Sequence, residues 1–228
     1  MKYRFLLCLF TLFAGLNSFA QSEVEAPDYD QIKKVTLDKN NDNYYPRLMK
    51  RFAANDTTLS LEEYRNLYYG YALQEDYNPY RISKYARKVK DFSVQDSIST
   101  AVCDSIIKYG LKALDDFPFD IRSMNMLVYG YQCKNNEAEK QIWGVKLRGL
   151  IDAIISSGDG ETEETPFYVI YPPHEYEIIS RFGLLVKSNT MMPPMLDYIE
   201  VEKNKFDVKG YYFNIEKILE TYKKKFEY

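Results

Sequence analysis

A single histidine, His174, stands in a chain of 228 residues. Glu175 and Glu177 lie beside it, and an acidic run of Asp159, Glu161, Glu163 and Glu164 lies upstream. An imidazole near carboxylates has the makings of a general base. With Glu175 or Asp159 as partner, His174 would suit a hydrolase acting on glycan or peptidoglycan fragments. Nucleophilic catalysis would also need a serine or cysteine held against the ring, and no G-x-S-x-G turn occurs. The competing reading makes His174 a helix-start residue among acids that the helix dipole favours. That reading takes precedence, because the sequence names no partner for the ring.

The acidic run alternates oxygen ligands at Asp159, Glu161 and Glu163 in the manner of a calcium loop. An EF-hand needs glycine at its sixth position and glutamate at its twelfth. Counted from Asp159 those positions hold Glu164 and Ile170, so the reading reverts to a solvated turn. One histidine precludes a multi-histidine metal centre, the cysteine spacing is wrong for zinc, and no phosphate-binding glycine loop is present. No metal or cofactor is implied. Paired carboxylates such as Glu62-Glu63 and Asp115-Asp116 are too ordinary on a protein surface to carry an assignment.

Tyrosine is over-represented, with 22 residues beside 13 phenylalanines. Tyr68, Tyr71, Tyr77 and Tyr80 cluster, as do Tyr168 and Tyr171, and aromatic rings with polar tips suit sugar faces or protein interfaces. Many of the same tyrosines also fall on apolar helical stripes, where they would serve the core.

Those stripes define the elements that must position any site. Short helices are expected at Asp28–Leu37 and Tyr45–Ala54. Another runs from the capping box Ser60-Leu61-Glu62-Glu63 to about Leu73. Three longer helices follow, Val94–Asp115, Asp120–Cys133 and Glu137–Ser157, the last closed by Gly158 as a cap. Short breaks force these three to pack antiparallel. Leu67-Tyr68-Tyr69-Gly70-Tyr71 is echoed by Leu127-Val128-Tyr129-Gly130-Tyr131, each glycine marking a close approach between helices. Tyr109 to Leu114 followed by Pro118 resembles the end of a tetratricopeptide repeat without its 34-residue recurrence. Beyond Gly158 the texture changes to a strand at Phe167–Tyr171, a short helix from His174 to Phe182, a Met191–Pro194 turn, and a hairpin of Leu196–Glu202 with Val208–Ile215. A helix over Ile215–Phe226 closes the chain.

Within that second part, Gly158-Asp159-Gly160, Glu164-Thr165, Phe167, Val169-Ile170 and Glu175-Tyr176 resemble a block in Bacteroidetes-type secreted proteins classed as a domain of unknown function. Tyr212-Phe213-Asn214-Ile215 is similar to that family's terminal strand. The likeness covers most of the chain past the first twenty residues. It implies a signal peptide and a helical body with a small β element, and it brings no activity or site residues with it.

Residues 1–20 read as a secretory signal: Lys2 and Arg4, an apolar run from Phe5 to Leu16, and small residues Ser18 and Ala20 ahead of Gln21. Removing them takes two basic groups and leaves 28 basic against 33 acidic residues, a net charge of −5. Nucleic acid is not an expected partner of such a chain, and no later stretch is long enough to span a membrane. Cys8 leaves with the signal. Cys103 and Cys133 remain, either bridged or kept as buried thiols. The expectation is a periplasmic or secreted α+β protein, mainly α. Residues 21–228 form one domain, with a helical part over 28–157 and an α/β part over 158–228 that carries a small antiparallel sheet. Its leading role is that of a binding or assembly module of the cell envelope with a protein or glycan partner, and the hydrolase is the alternative.

Overall fold

A computed structural model describes residues 24–93 and 99–226. The signal-like segment and residues 94–98, including the expected helix start at Val94 and the stripe position Ile98, lie outside the described residues.

Five of the described helices begin at a side chain that takes up free N–H groups, while those at Tyr45–Ala53 and Pro173–Arg181 begin instead with proline in the first turn. Asp28 caps α1 (Tyr29–Leu37) and Pro46 occupies the first turn of α2 (Tyr45–Ala53). Ser60 and Glu63 close the capping box of α3 (Leu61–Tyr71). After α4 (Ala86–Ser93), Ser99 caps α5 (Thr100–Asp116), Asp120 caps α6 (Ile121–Cys133) and Asn136 caps α7 (Glu137–Ile155). The antiparallel α5–α6 pair can be read from its glycines. A methyl group at Gly110 would meet Leu127 at 2.8 Å, and one at Gly130 would meet Ile107 at 2.9 Å. A disulfide joins Cys103 to Cys133 further along the same seam. The echoed Gly70 packs slightly less tightly, with Thr36 of α1 at 3.1 Å from where its Cβ would stand. Helix α3 lies along α7: Tyr69 donates to the carbonyl of Ala153 at 3.1 Å, and Arg65 donates to Ser156 at 2.7 Å. Phe117 and Phe119, in the break between α5 and α6, drive into the aromatic core around Tyr68 and Tyr71.

The second part holds β1 (Phe167–Tyr168), α8 (Pro173–Arg181), β2 (Val186–Met192), β3 (Leu196–Val201), β4 (Gly210–Asn214) and α9 (Glu216–Phe226). Strand order is β1-β4-β3-β2. The expected hairpin is β3–β4, antiparallel with Tyr198 opposite Tyr212. The mainly helical α+β architecture is as the stripes require.

Four details differ from the sequence reading. The sheet is mixed rather than wholly antiparallel, because β1 joins β4 in parallel, Phe167 opposite Phe213. The strand expected over 167–171 shrinks to two residues. The N–H of Ile170 turns to the Tyr68 hydroxyl at 3.3 Å instead of a neighbouring strand. Helix α7 stops at Ile155, and Gly158 is required not as its cap but because Pro166 O lies 2.2 Å from where a Cβ would stand. Finally, α4 and most of the edge strand β2 had no sequence assignment, and Met191 and Met192, expected in a turn, end β2 instead by pairing with Asp197 and Leu196.

Candidate functional site

His174 enters at the start of α8 and is 1% exposed. Its Nε2 lies 2.9 Å from the carbonyl of Phe119, which can only accept, so Nε2 carries the proton. Nδ1 is therefore an acceptor and takes the Tyr68 hydroxyl at 2.7 Å, while the Tyr68 oxygen accepts the Ile170 N–H. Burial pulls the His174 pKa down to about 4, against the smaller opposing effect of the Phe119 carbonyl. The ring is neutral, fully bonded and enclosed. It ties α3, the α5–α6 break and α8 together.

Glu175, the next residue along α8, faces another way. Its Oε2 accepts from Asn189 of β2 at 3.4 Å, and its Oε1 is buried without a partner among the described residues. Burial, and then the nearby Asp197, raise its pKa well above the ordinary carboxylate range, with Asn189 opposing. Asp159 sits in the exposed loop after α7. It accepts from the Glu161 N–H at 2.9 Å and from the Thr165 hydroxyl, and the Thr165 bond is the main reason its pKa is lowered. His174, Glu175 and Asp159 thus serve three separate environments, and no hydrogen bond links any two of them.

The tyrosines named for binding are distributed similarly. Tyr68 and Tyr71 are buried. Tyr77 is half-buried and donates to Ile170 O at 2.6 Å, and Tyr171 packs its ring 4.9 Å from that of Phe117. Tyr168 is half-buried on the edge strand β1, and burial raises its pKa. Of the six, Tyr80 alone is exposed, with its ring 6.5 Å from that of Tyr222. These six do not form one surface platform.

Open space lies instead on the two flanks of α7. Between α6, α7 and α8 runs a groove of about 460 Å³. Leu147 and Ile151 lie at its floor, with Val128, Ile155 and Phe182 partly buried around them. Arg148 and Arg181 flank the half-buried Asp152, whose pKa burial raises against both guanidiniums. Gly144 lines the groove, and a methyl group there would touch nothing within 4 Å. On the other flank, between α2, α5 and α7, is a cleft of about 410 Å³ walled by Met49, Phe52, Leu111, Leu114 and Trp143. Lys146 lines it and is 4% exposed. Its Nζ donates to Asn55 Oδ1 at 2.8 Å and stands 4.1 and 4.4 Å from the ring centroids of Trp143 and Phe52. Burial lowers its pKa to about 8, with Glu139 opposing weakly. Neither Lys146 nor Gly144 was singled out from the sequence. The available signal was a lysine three residues after Trp143, on the edge of the Trp143-Leu147-Leu150-Ile154 stripe.

Among the described residues there is no group of three His, Cys, Asp or Glu side chains placed to hold a metal ion. No helix among them is long and apolar enough to cross a membrane. A helical body with a small mixed sheet and clefts on both sides of its central helix defines an α+β protein without an assembled catalytic centre among these candidates. The chain belongs to the DUF4919 family, a domain of unknown function, whose model matches residues 30–224. No curated protein and no solved structure matches it.

Proposed function

We propose that this chain is an exported, non-catalytic binding module of a Bacteroidetes-type cell envelope, and that the α6–α7–α8 groove receives an acidic segment of a protein partner. The signal-like residues 1–20 support export. Gly144 carries the assignment of the groove. A glycine inside a helix costs about 1 kcal/mol relative to alanine, and Gly110, Gly130 and Gly149 all meet neighbours that explain them. Gly144 meets none and keeps the groove wide. The two guanidiniums around one carboxylate leave a local excess of positive charge, which suits an acidic stretch with apolar neighbours lying on Leu147 and Ile151. The enclosed, doubly bonded His174 supports this reading over the hydrolase.

Fluorescence anisotropy with a labelled Glu/Leu decapeptide and its Lys/Leu counterpart tests the proposal. The acidic peptide should bind, the basic one should not, and Arg148→Glu with Arg181→Glu should abolish binding. Binding indifferent to peptide charge or to that double reversal would overturn it. So would turnover of peptidoglycan fragments by the wild-type chain that His174→Gln removes.

A further inference from the structure

We infer that the cleft on the opposite flank of α7 is a second site, which binds a small organic carboxylate with an apolar body through Lys146 and Asn55. At about 410 Å³ it falls among cavities that take small molecules. Its walls are mainly hydrocarbon, with Asn55 and Asp115 the other polar residues among them, and they enclose an ammonium. Among the described residues no carboxylate comes within ion-pairing distance of Lys146. The charges around it are otherwise engaged or distant. Arg51, on α2, is bound to Asp56 and Glu63, Asp115 of α5 stands exposed at the rim, and Glu139 of α7 acts only weakly. A buried cation without a counter-ion is costly to a fold, and an incoming anion removes that cost.

The charge and the donors together select the anion. One Lys146 N–H goes to Asn55, leaving two, and the Asn55 carboxamide nitrogen makes no hydrogen bond among the described residues. Asn55 holds the left-handed conformation (φ 59°) just past α2, which asparagine tolerates, and this brings its amide to the lysine. Two ammonium N–H and two carboxamide N–H, with a single positive charge, suit the two oxygens and single charge of a carboxylate. A phosphate dianion would keep one of its two charges unmatched. The rings of Phe52 and Trp143, with Met49, Leu111 and Leu114, would cover an aromatic or branched aliphatic body.

Isothermal titration of the purified protein with phenylacetate and indole-3-acetate tests this, with phenylacetamide and inorganic phosphate as controls. Both carboxylates should bind saturably and the controls should not. Lys146→Met should weaken binding by at least about tenfold, the scale of one charge-assisted contact. Arg148→Glu with Arg181→Glu should leave it unchanged, which separates this site from the groove. Acetic anhydride labelling of the wild-type protein read by mass spectrometry needs no variant: phenylacetate should slow acetylation of Lys146 and spare the surface lysines. Absence of carboxylate binding, equal binding by phenylacetamide, full binding by Lys146→Met, or unprotected acetylation would each overturn the proposal.

Discussion

The Tyr68 hydroxyl stands 2.7 Å from Nδ1 of His174, a residue 106 positions further along the chain. The same oxygen accepts the Ile170 N–H, so one phenol satisfies two buried groups from the second part of the molecule. Tyr68→Phe keeps the ring and deletes both bonds. Leaving a buried acceptor and a buried donor unpaired should cost about 1–3 kcal/mol each, read as a lower urea midpoint. Peptide and carboxylate binding should be unchanged, since Tyr68 touches neither cleft.

The acid limb of stability should belong to His174. Its pKa is about 4 in the fold against 6.5 for an ordinary imidazole. Between those values the unfolded chain binds the extra proton, so stability falls as pH drops from about 6.5 towards 4, by about 3 kcal/mol in all. Glu175 acts in the opposite sense. Its raised pKa keeps a proton on the folded state after the unfolded chain has lost its own, so its contribution is fully present below about 4.5 and declines as pH rises. Urea titrations from pH 4 to 8 should show His174→Gln flattening the first slope and Glu175→Gln flattening the second. Identical pH profiles for wild type and both variants would remove both assignments.

These two residues also show where the sequence ceased to be informative. Stripes and caps made α3, α5, α6 and α7 legible, since helix periodicity is local: Ser60-x-x-Glu63 is visible without any partner. Strand β2 was not, because five of its seven residues are exposed and show no alternation, and it exists as a strand through pairing with β3. The roles of His174 and Lys146 depend on Tyr68 and Asn55, partners 106 and 91 positions away. A single chain carries no signal at such separations. What could be read was the type of residue, and a histidine beside acids pointed to catalysis that its surroundings do not assemble.

Two glycines on the same helix should respond oppositely to alanine. A Cβ at Gly149 would stand 2.2 Å from the Tyr64 ring, which is itself buried, so Gly149→Ala must displace α3 from α7. Overpacking of this kind costs about 1–3 kcal/mol. At Gly144 nothing lies within 4 Å, so alanine there should gain up to about 1 kcal/mol of helix stability. Thermal melts of the pair give the sign directly. If Gly144→Ala also weakens acidic-peptide binding while raising the melting midpoint, the glycine is kept for the groove.

Reducing the Cys103–Cys133 bond should destabilise the α5–α6 pair. The bridge spans 30 positions, and a loop of that size restricts the unfolded chain by about 3–4 kcal/mol in the loop-entropy model. Cys133 is only partly covered and Lys134 pairs with Asp104 at 2.7 Å nearby, so the helices retain contacts when the bond opens. A double Cys→Ser chain should fold with a lower urea midpoint. A midpoint equal to that of the wild type would mean the bond restricts nothing the unfolded chain explores.

Lys146 separates a lysine held for a ligand from one that merely fills space. Its pKa, lowered to about 8 from an ordinary 10.5, means that the unfolded chain binds the proton more strongly than the fold does. Stability should therefore rise with pH between about 8 and 10.5, and at pH 7 the fold carries the whole penalty, about 3 kcal/mol. Lys146→Met replaces the ammonium by an uncharged side chain of similar length and gives up the bond to Asn55. Because the penalty of a buried charge without a counter-ion outweighs one hydrogen bond and the contacts with the Trp143 and Phe52 rings, the variant should be more stable than wild type at pH 7, and its advantage should shrink by pH 9.5. The buried tyrosines, whose pKa values burial raises, affect both proteins alike, so the difference between the two curves isolates the lysine. A variant less stable at pH 7 with an unchanged pH slope would make Lys146 an ordinary structural strut. One that is more stable and no longer binds phenylacetate would show the fold giving up stability to hold that charge in the cleft.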